Sequence, residues 1–141
     1  MLNKIPKNLS PELVKTLMEM GHGDEILLAD ANYPALTNNS RVIRTDGIGV
    51  PDILKSILEL MPLDPYSDYQ GILMEVVPGD DVVPTIWDNY KKQIKGAFPK
   101  AHIKQMERQA LYKYSRDCFA IIQTGETALY GNLILKKGVV E

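Results

Sequence analysis

The sequence predicts an α/β fold: a single three-layer domain, residues 1–141, with a largely parallel central sheet flanked by helices. Three observations predict it. Short apolar runs of strand length recur along the chain, stretches with apolar residues at helical spacing alternate with them, and Pro, Gly and Asn punctuate the junctions. At 141 residues the chain reaches a size at which a domain buries roughly 70% of its unfolded surface, so one core suffices.

Ser10 is a good N-cap and Pro11 suits a first helical position. With Leu13, Leu17 and Met20 on one face, a helix is predicted over residues 11–21, stopped by Gly21. Residues 26–29 read as a short buried strand that places Asp30 at its carboxyl end, the side on which ligands sit in open α/β sheets. Residues 31–34 turn, because Pro34 biases Tyr33 towards extended backbone, and residues 37–40 continue as a polar loop. Residues 41–46 form a second strand closed by Gly47. Pro51 opens a helix on which Ile53, Leu54, Ile57, Leu58 and Met61 form one stripe, and Pro62 stops it.

Residues 63–68 are a turn-rich loop that restrains Asp64. A third strand is predicted over 71–77, with Met74 as a core residue, and a helix over 83–96 that buries Ile86, Trp87, Tyr90 and Ile94. Trp87 reads here as packing. Residues 102–106 alternate as a half-exposed strand would, with His102 at a surface position. The helix over 108–114 sets Arg108 and Tyr112, four apart, on one face. Two last strands fall at 118–123 and 130–135.

Composition excludes several partners. Sixteen basic and eighteen acidic residues give a net charge of -2, without general attraction to nucleic acid or membrane. Half of the basic residues lie between Lys91 and Arg116 with Glu107 as the only carboxylate among them, which reads as a solvated face. The single cysteine, Cys118, sits in an apolar run and reads as a buried, inert thiol suited to a reducing cytoplasm. No apolar run nears the roughly 20 residues that span a bilayer, and residues 1–6 lack a signal-peptide core, so a soluble cytoplasmic protein is expected.

The chemistry concentrates at Gly21-His22-Gly23-Asp24-Glu25. The predicted helix would deliver His22 and the following strand Asp30, to one cleft. His22 has two readings: a proton-transfer group, or a charge placed at a helix carboxyl end for the dipole. The glycines lack the third member of a dinucleotide fingerprint and follow a helix, no lysine-bearing phosphate loop occurs, and Gly-x-Ser-x-Gly is missing. His22, Asp24, Glu25 and Asp30 offer one imidazole with no paired-histidine or cysteine spacing, so no metal is assigned. One histidine with carboxylates, an arginine and tyrosines suits cofactor-free proton transfer on a polyhydroxylated neutral ligand.

Five segments carry a resemblance. They are Met20-Gly21-His22-Gly23-Asp24-Glu25, Ala29-Asp30-Ala31-Asn32-Tyr33-Pro34, Arg44-Thr45-Asp46-Gly47, Leu63-Asp64-Pro65-Tyr66 and residues 124–138, which open Thr124-Gly125-Glu126 and include Tyr130-Gly131-Asn132. In this order they resemble the mutarotase family shared by the L-fucose mutarotases and the D-ribose pyranases, over nearly the whole chain. The resemblance implies an isomerase that interconverts the α and β anomers of a free monosaccharide without metal or redox cofactor, in this branch L-fucose. It implies His22 as general acid/base, Tyr112 or Asp64 as the group that moves the second proton, and Asp30, Met74, Arg108, Tyr130 and Asn132 as the sugar pocket. It further implies a homo-oligomer, typically a ring-like decamer, in which Tyr130 and Asn132 of one subunit act on His22 of another. One departure stands out: where the fucose branch usually reads Arg-Phe-x-Phe-Tyr-Glu-Arg, this chain has Arg108-Gln109-Ala110-Leu111-Tyr112-Lys113-Tyr114, so packing there differs. The ribose branch tends to carry lysine at the position of Tyr112 and histidine at that of Arg108.

Overall fold

The structure, a computed structural model, describes residues 1–141. Its elements in order are α1 (Pro11–Glu19), β1 (Glu25–Ala29), α2 (Ala35–Asn38), β2 (Val42–Thr45), α3 (Val50–Leu60), β3 (Gly71–Met74), α4 (Ile86–Ala97), β4 (Ile103–Met106), α5 (Arg108–Ser115), β5 (Ala120–Thr124) and β6 (Leu133–Lys136). The six strands form one sheet in the order β2-β5-β1-β6-β3-β4. Pairs β1/β5, β2/β5 and β3/β4 are parallel, while β6 runs antiparallel to both β1 and β3. The largely parallel sheet is therefore interrupted by one reversed strand near its middle.

Strand alternation sorts the core onto two faces. Ile26 and Leu28 of β1, Ile122 of β5, and Leu133 and Leu135 of β6 face α1, α3 and α4. Leu27, Ala29, Ile121, Ile134 and Ile72 face the other way, toward Tyr33, Ala35 and Leu111. On the first face, Val50, Ile53, Leu54 and Ile57 of α3 are fully buried, each contributing about 1.5–3 kcal/mol by leaving water. On the second, Leu111 fills the space under α5 in the segment that departs from the family pattern.

Boundaries differ from expectation for local reasons. Helix α1 ends at Glu19, because Met20 turns extended (φ -66°, ψ 134°) and buries its side chain; Gly21 is not the stop, and the left-handed residue is Gly23. The polar loop after Pro34 contains the one-turn α2, in which Asn38 Nδ2 donates to the Pro34 carbonyl. Helix α4 starts three residues late, since Pro84 keeps Val83 out of helical backbone. Strand β3 stops at Met74, releasing a loop over 75–85, and β6 starts only at Leu133, because Tyr130 adopts φ +60°. β5 begins at Ala120, after the buried Cys118, whose thiol burial pushes up to about 12.

The carboxyl end of β6 ties the chain together. Gly138 donates to the Pro62 carbonyl at 2.8 Å, and a Cβ there would lie 2.7 Å from the Leu63 carbonyl carbon and 2.9 Å from the Asp64 Cα. These neighbours are backbone and cannot rotate away. Gly138→Ala is expected to cost about 1–3 kcal/mol of stability through overpacking, read as a lowered urea midpoint; an unchanged midpoint would show that residues 62–64 yield freely.

Candidate functional site

The reversal of β6 gathers residues distant in sequence at one end of the sheet. β1 ends there before Asp30, β3 ends there at Met74, and β6 begins there just after Asn132. β4 leads at that end into α5, which presents Arg108 and, one turn later, Tyr112. Between them lies a cleft of about 250 Å³ whose walls include Asp30, Tyr33, Met74, Asp80, Arg108, Tyr112, Tyr130 and Asn132.

Asn132 organises this cleft. Its Oδ1 accepts from the Asp30 amide at 2.7 Å, and its Nδ2 donates to Asp30 Oδ2 at 3.0 Å, 3.9 Å from the sulfur of Met74. Burial raises the Asp30 carboxyl from its ordinary value, opposed by hydrogen bonds from Asn32, Asn132 and Tyr33. The Tyr130 hydroxyl donates to Asp80 Oδ2 at 2.5 Å and accepts from the Val77 amide at 3.3 Å. Tyr112 meets the edge of Tyr33, with ring centroids 5.2 Å apart at 85°. The Tyr33 hydroxyl donates to Ser115 Oγ, which donates to the Tyr112 carbonyl, both at 2.7 Å. Burial raises the Tyr33 phenol well above its ordinary value, so it stays neutral and keeps donating.

At the other end of β1, His22 Nε2 lies 2.9 Å from Asp64 Oδ1, which also accepts from the Tyr66 amide at 3.0 Å. Burial alone would raise Asp64. Hydrogen bonds from His22 and Tyr66, with the charges of His22 and Lys136, outweigh it and hold the carboxyl below its ordinary value. An ionised Asp64 only accepts, so Nε2 carries a proton and Nδ1 of the neutral ring is the open lone pair. The loop is braced by the Gly21 amide on Asp24 Oδ2 at 2.7 Å and the Gly23 amide on the Lys137 carbonyl at 2.9 Å. The buried Gln70 donates to the Asp64 carbonyl at 2.8 Å and fixes the neighbouring loop.

The structure thus brings Asp30, Met74, Arg108, Tyr112, Tyr130 and Asn132 to one cleft and sets His22 and Asp64 together elsewhere. The expectation that His22 and Asp30 meet in one cleft of one chain is corrected: the five residues of β1, about 16 Å at 3.3 Å each, stand between them. Sequence reasoning missed Tyr33 and Asp80. Tyr33 was signalled by its place three residues after Asp30 within one of the five resembling segments, and Asp80 by nothing beyond a Pro-Gly turn. Glu25 is held by the hydroxyls of Tyr69 and Tyr114 and Asp24 by Gly21, so these carboxylates and His22 do not converge on one point. A larger groove, about 760 Å³, lies along residues 1–18 with Ile48, but it is mostly apolar and holds no acid or base beyond Lys7 and Lys15.

Residues 3–140 match the RbsD / FucU transport protein family. A fucose mutarotase of Danio rerio is 47% identical, with 99% of this chain and 94% of that one covered. The crystal structure of the fucose mutarotase in complex with L-fucose from Streptococcus pneumoniae superposes with a TM-score of 0.93 at 52% identity, covering 99% of this chain and 100% of that one. The Bacillus subtilis RbsD complexed with D-ribose, at 24% identity, a TM-score of 0.72 and coverage of 94% and 95%, shares the fold. With a match along almost its whole length and relatives well above the identity at which fold and ancestry travel together, the chain belongs to the RbsD/FucU family.

Proposed function

We propose that residues 1–141 form one sugar mutarotase domain that interconverts the α and β anomers of free L-fucose. The observation that carries this is the 52% identity to the Streptococcus pneumoniae fucose mutarotase solved with L-fucose. The cleft suits such a ligand: Asp30, Arg108 and Asn132 offer charged and amide groups to hydroxyls, and Met74 offers an apolar surface to a ring face.

Anomer exchange needs two proton transfers. A base takes the proton of the anomeric hydroxyl while an acid delivers one to the ring oxygen. The bond between C1 and that oxygen breaks, the aldehyde rotates, and the reverse transfers close the other anomer. In this reading His22 is the general acid/base, acting through Nδ1 while Asp64 fixes its tautomer and orientation. Asp64 is already engaged by His22 and Tyr66, whereas Tyr112 lies on the cleft wall, so Tyr112 moves the second proton. Asp30, Met74, Arg108, Tyr130 and Asn132 bind the sugar. Because His22 and the cleft lie at opposite ends of β1, the working site joins the cleft of one subunit to His22 and Asp64 of a neighbour. The assembly proposed is a ring-like homodecamer in the cytoplasm.

Three outcomes are expected. Saturation transfer between the anomeric protons of L-fucose should show enzyme-driven exchange that His22→Asn slows by about 10²–10⁴-fold; exchange on D-ribose and none on L-fucose would overturn the substrate. Mixed oligomers of His22→Asn and Asn132→Ala should regain activity at about a quarter of their sites, since random pairing of chains restores that share of intact pairs; no recovery means that each chain builds its own site. For Asp64, the carboxyl sits lower in the folded chain than in the unfolded one, so its stabilisation is complete above about pH 3.9 and vanishes as pH falls through the lower folded value. The stability gap between wild type and Asp64→Asn should therefore narrow on acidification in urea melts, and a constant gap would deny the ionised pair.

A further inference from the structure

We propose that Trp87 and Tyr90 are positioning residues of the sugar cleft: two aromatic donors on α4 that grip consecutive peptide carbonyls and impose the backbone that turns Tyr130 and Asn132 into it. This deepens the L-fucose reading and rests on it. Tyr130 has φ +60°, one of two left-handed residues other than glycine, the other being the exposed Lys4 near the chain start. A bulky side chain takes that conformation only where its surroundings over-determine it. Here the Trp87 indole N–H donates to the Tyr130 carbonyl at 2.8 Å and the Tyr90 hydroxyl to the Gly131 carbonyl at 2.9 Å. Trp87 is 9% exposed and Tyr90 fully buried.

Two adjacent peptide planes are thereby fixed, and the chain leaving them enters Asn132. The turn is held from the other side as well. Glu126 accepts from the amides of Ala128 and Val50, each at 3.1 Å, tying the segment before Tyr130 to the start of α3. Gly131 allows the close approach: a Cβ there would meet the Ala128 carbonyl oxygen at 3.0 Å and the Tyr90 hydroxyl at 3.3 Å. Phenylalanine would keep an aromatic ring at Trp87 and at Tyr90 but leave two carbonyls without these donors, and the turn would be free to relax towards ordinary extended backbone. Packing alone does not require an N–H and an O–H at these two positions.

The test compares wild type, Tyr90→Phe, and the Trp87→Phe/Tyr90→Phe double variant, titrated with free L-fucose. A net hydrogen bond is worth a factor of about 2–13, so Tyr90→Phe should weaken binding about fivefold and the double variant at least tenfold. Ile26→Val, a change in the core at the far end of β1, should lower the melting temperature without moving the affinity. A folded double variant with wild-type affinity overturns the proposal, and if it does not fold, Tyr90→Phe, which keeps the ring, decides alone. A second readout needs no sugar: the amide resonances of Tyr130, Gly131 and Asn132 should shift in Tyr90→Phe, and unchanged resonances likewise overturn it. If wild type binds no L-fucose, the substrate reading fails while the amide readout still judges the clamp.

Discussion

The structure depends on the pairing of Asn132 with Asp30. The Asn132 amide side chain accepts from the Asp30 backbone and donates to its carboxylate, bridging 102 residues of sequence at the point where β6 enters the sheet. The pair works only because β6 runs against its neighbours. A parallel strand at that place in the sheet would begin at the opposite end, and Asn132 would then lie beside the loop of His22. The reversed strand brings the start of the last segment to the finish of β1 and β3, which creates a walled cleft. The same reversal carries Lys136 and Lys137 to the other end, where their carbonyls accept from Asp64 and Gly23. One strand direction thus sets both halves of the proposed chemistry.

Burial raises both Asp30 and Asp64, yet the two carboxylates end up shifted in opposite directions. Asp30 is raised because desolvation exceeds what its hydrogen bonds return, so its charged form is held at a cost to stability at neutral pH. Asp64 is lowered because hydrogen bonds from the His22 ring and the Tyr66 amide, with the charges of His22 and Lys136, outweigh its burial. A carboxylate poised against its own charge is a ready partner for a hydroxyl, which lends hydrogen-bond energy without a formal charge. A carboxylate held firmly ionised is a fixed acceptor that orients a histidine. The two environments match the two roles assigned to them.

Much of the fold was legible because it rests on period and punctuation. Apolar runs at Ile26, Ile72, Ile121 and Leu133 and the stripe from Ile53 to Ile57 located the sheet and its covering helix, and the structure buries all of them. The ends of elements were less legible, because they follow from single side chains choosing the core, as Met20 does, or from strain, as at Tyr130. Strand order was not readable, and with it went the geometry of the site. Local reasoning joined His22 to Asp30 through eight residues of sequence, whereas the extended backbone of β1 holds them apart. The arginine and tyrosine of α5 were legible as a shared face, since helical spacing is local. Tyr33 and Asp80 were not, since only tertiary packing brings them to Tyr112 and Tyr130.

The separation of His22 from the cleft bears on how the activity can be controlled. Ile26, Leu27, Leu28 and Ala29 are each fully buried, the first three paired on both sides, to β5 and β6, and Ala29 paired to β5, so the central strand is among the most rigid parts of the molecule. No hinge lies within it that could fold one end towards the other. If one sugar uses both ends, the groups must come from two chains, and an isolated subunit is inactive whatever its conformation. Turnover then follows assembly by mass action: dilution below the dissociation constant removes sites without unfolding any chain. A contact of one end of the sheet with the opposite end of a neighbour is head to tail, and when its rotation closes, every cleft in the ring receives a histidine and every histidine faces a cleft. In the proposed assembly, the reversal of β6 and the extended backbone of β1 place the acid/base and binding groups where a second copy joins them.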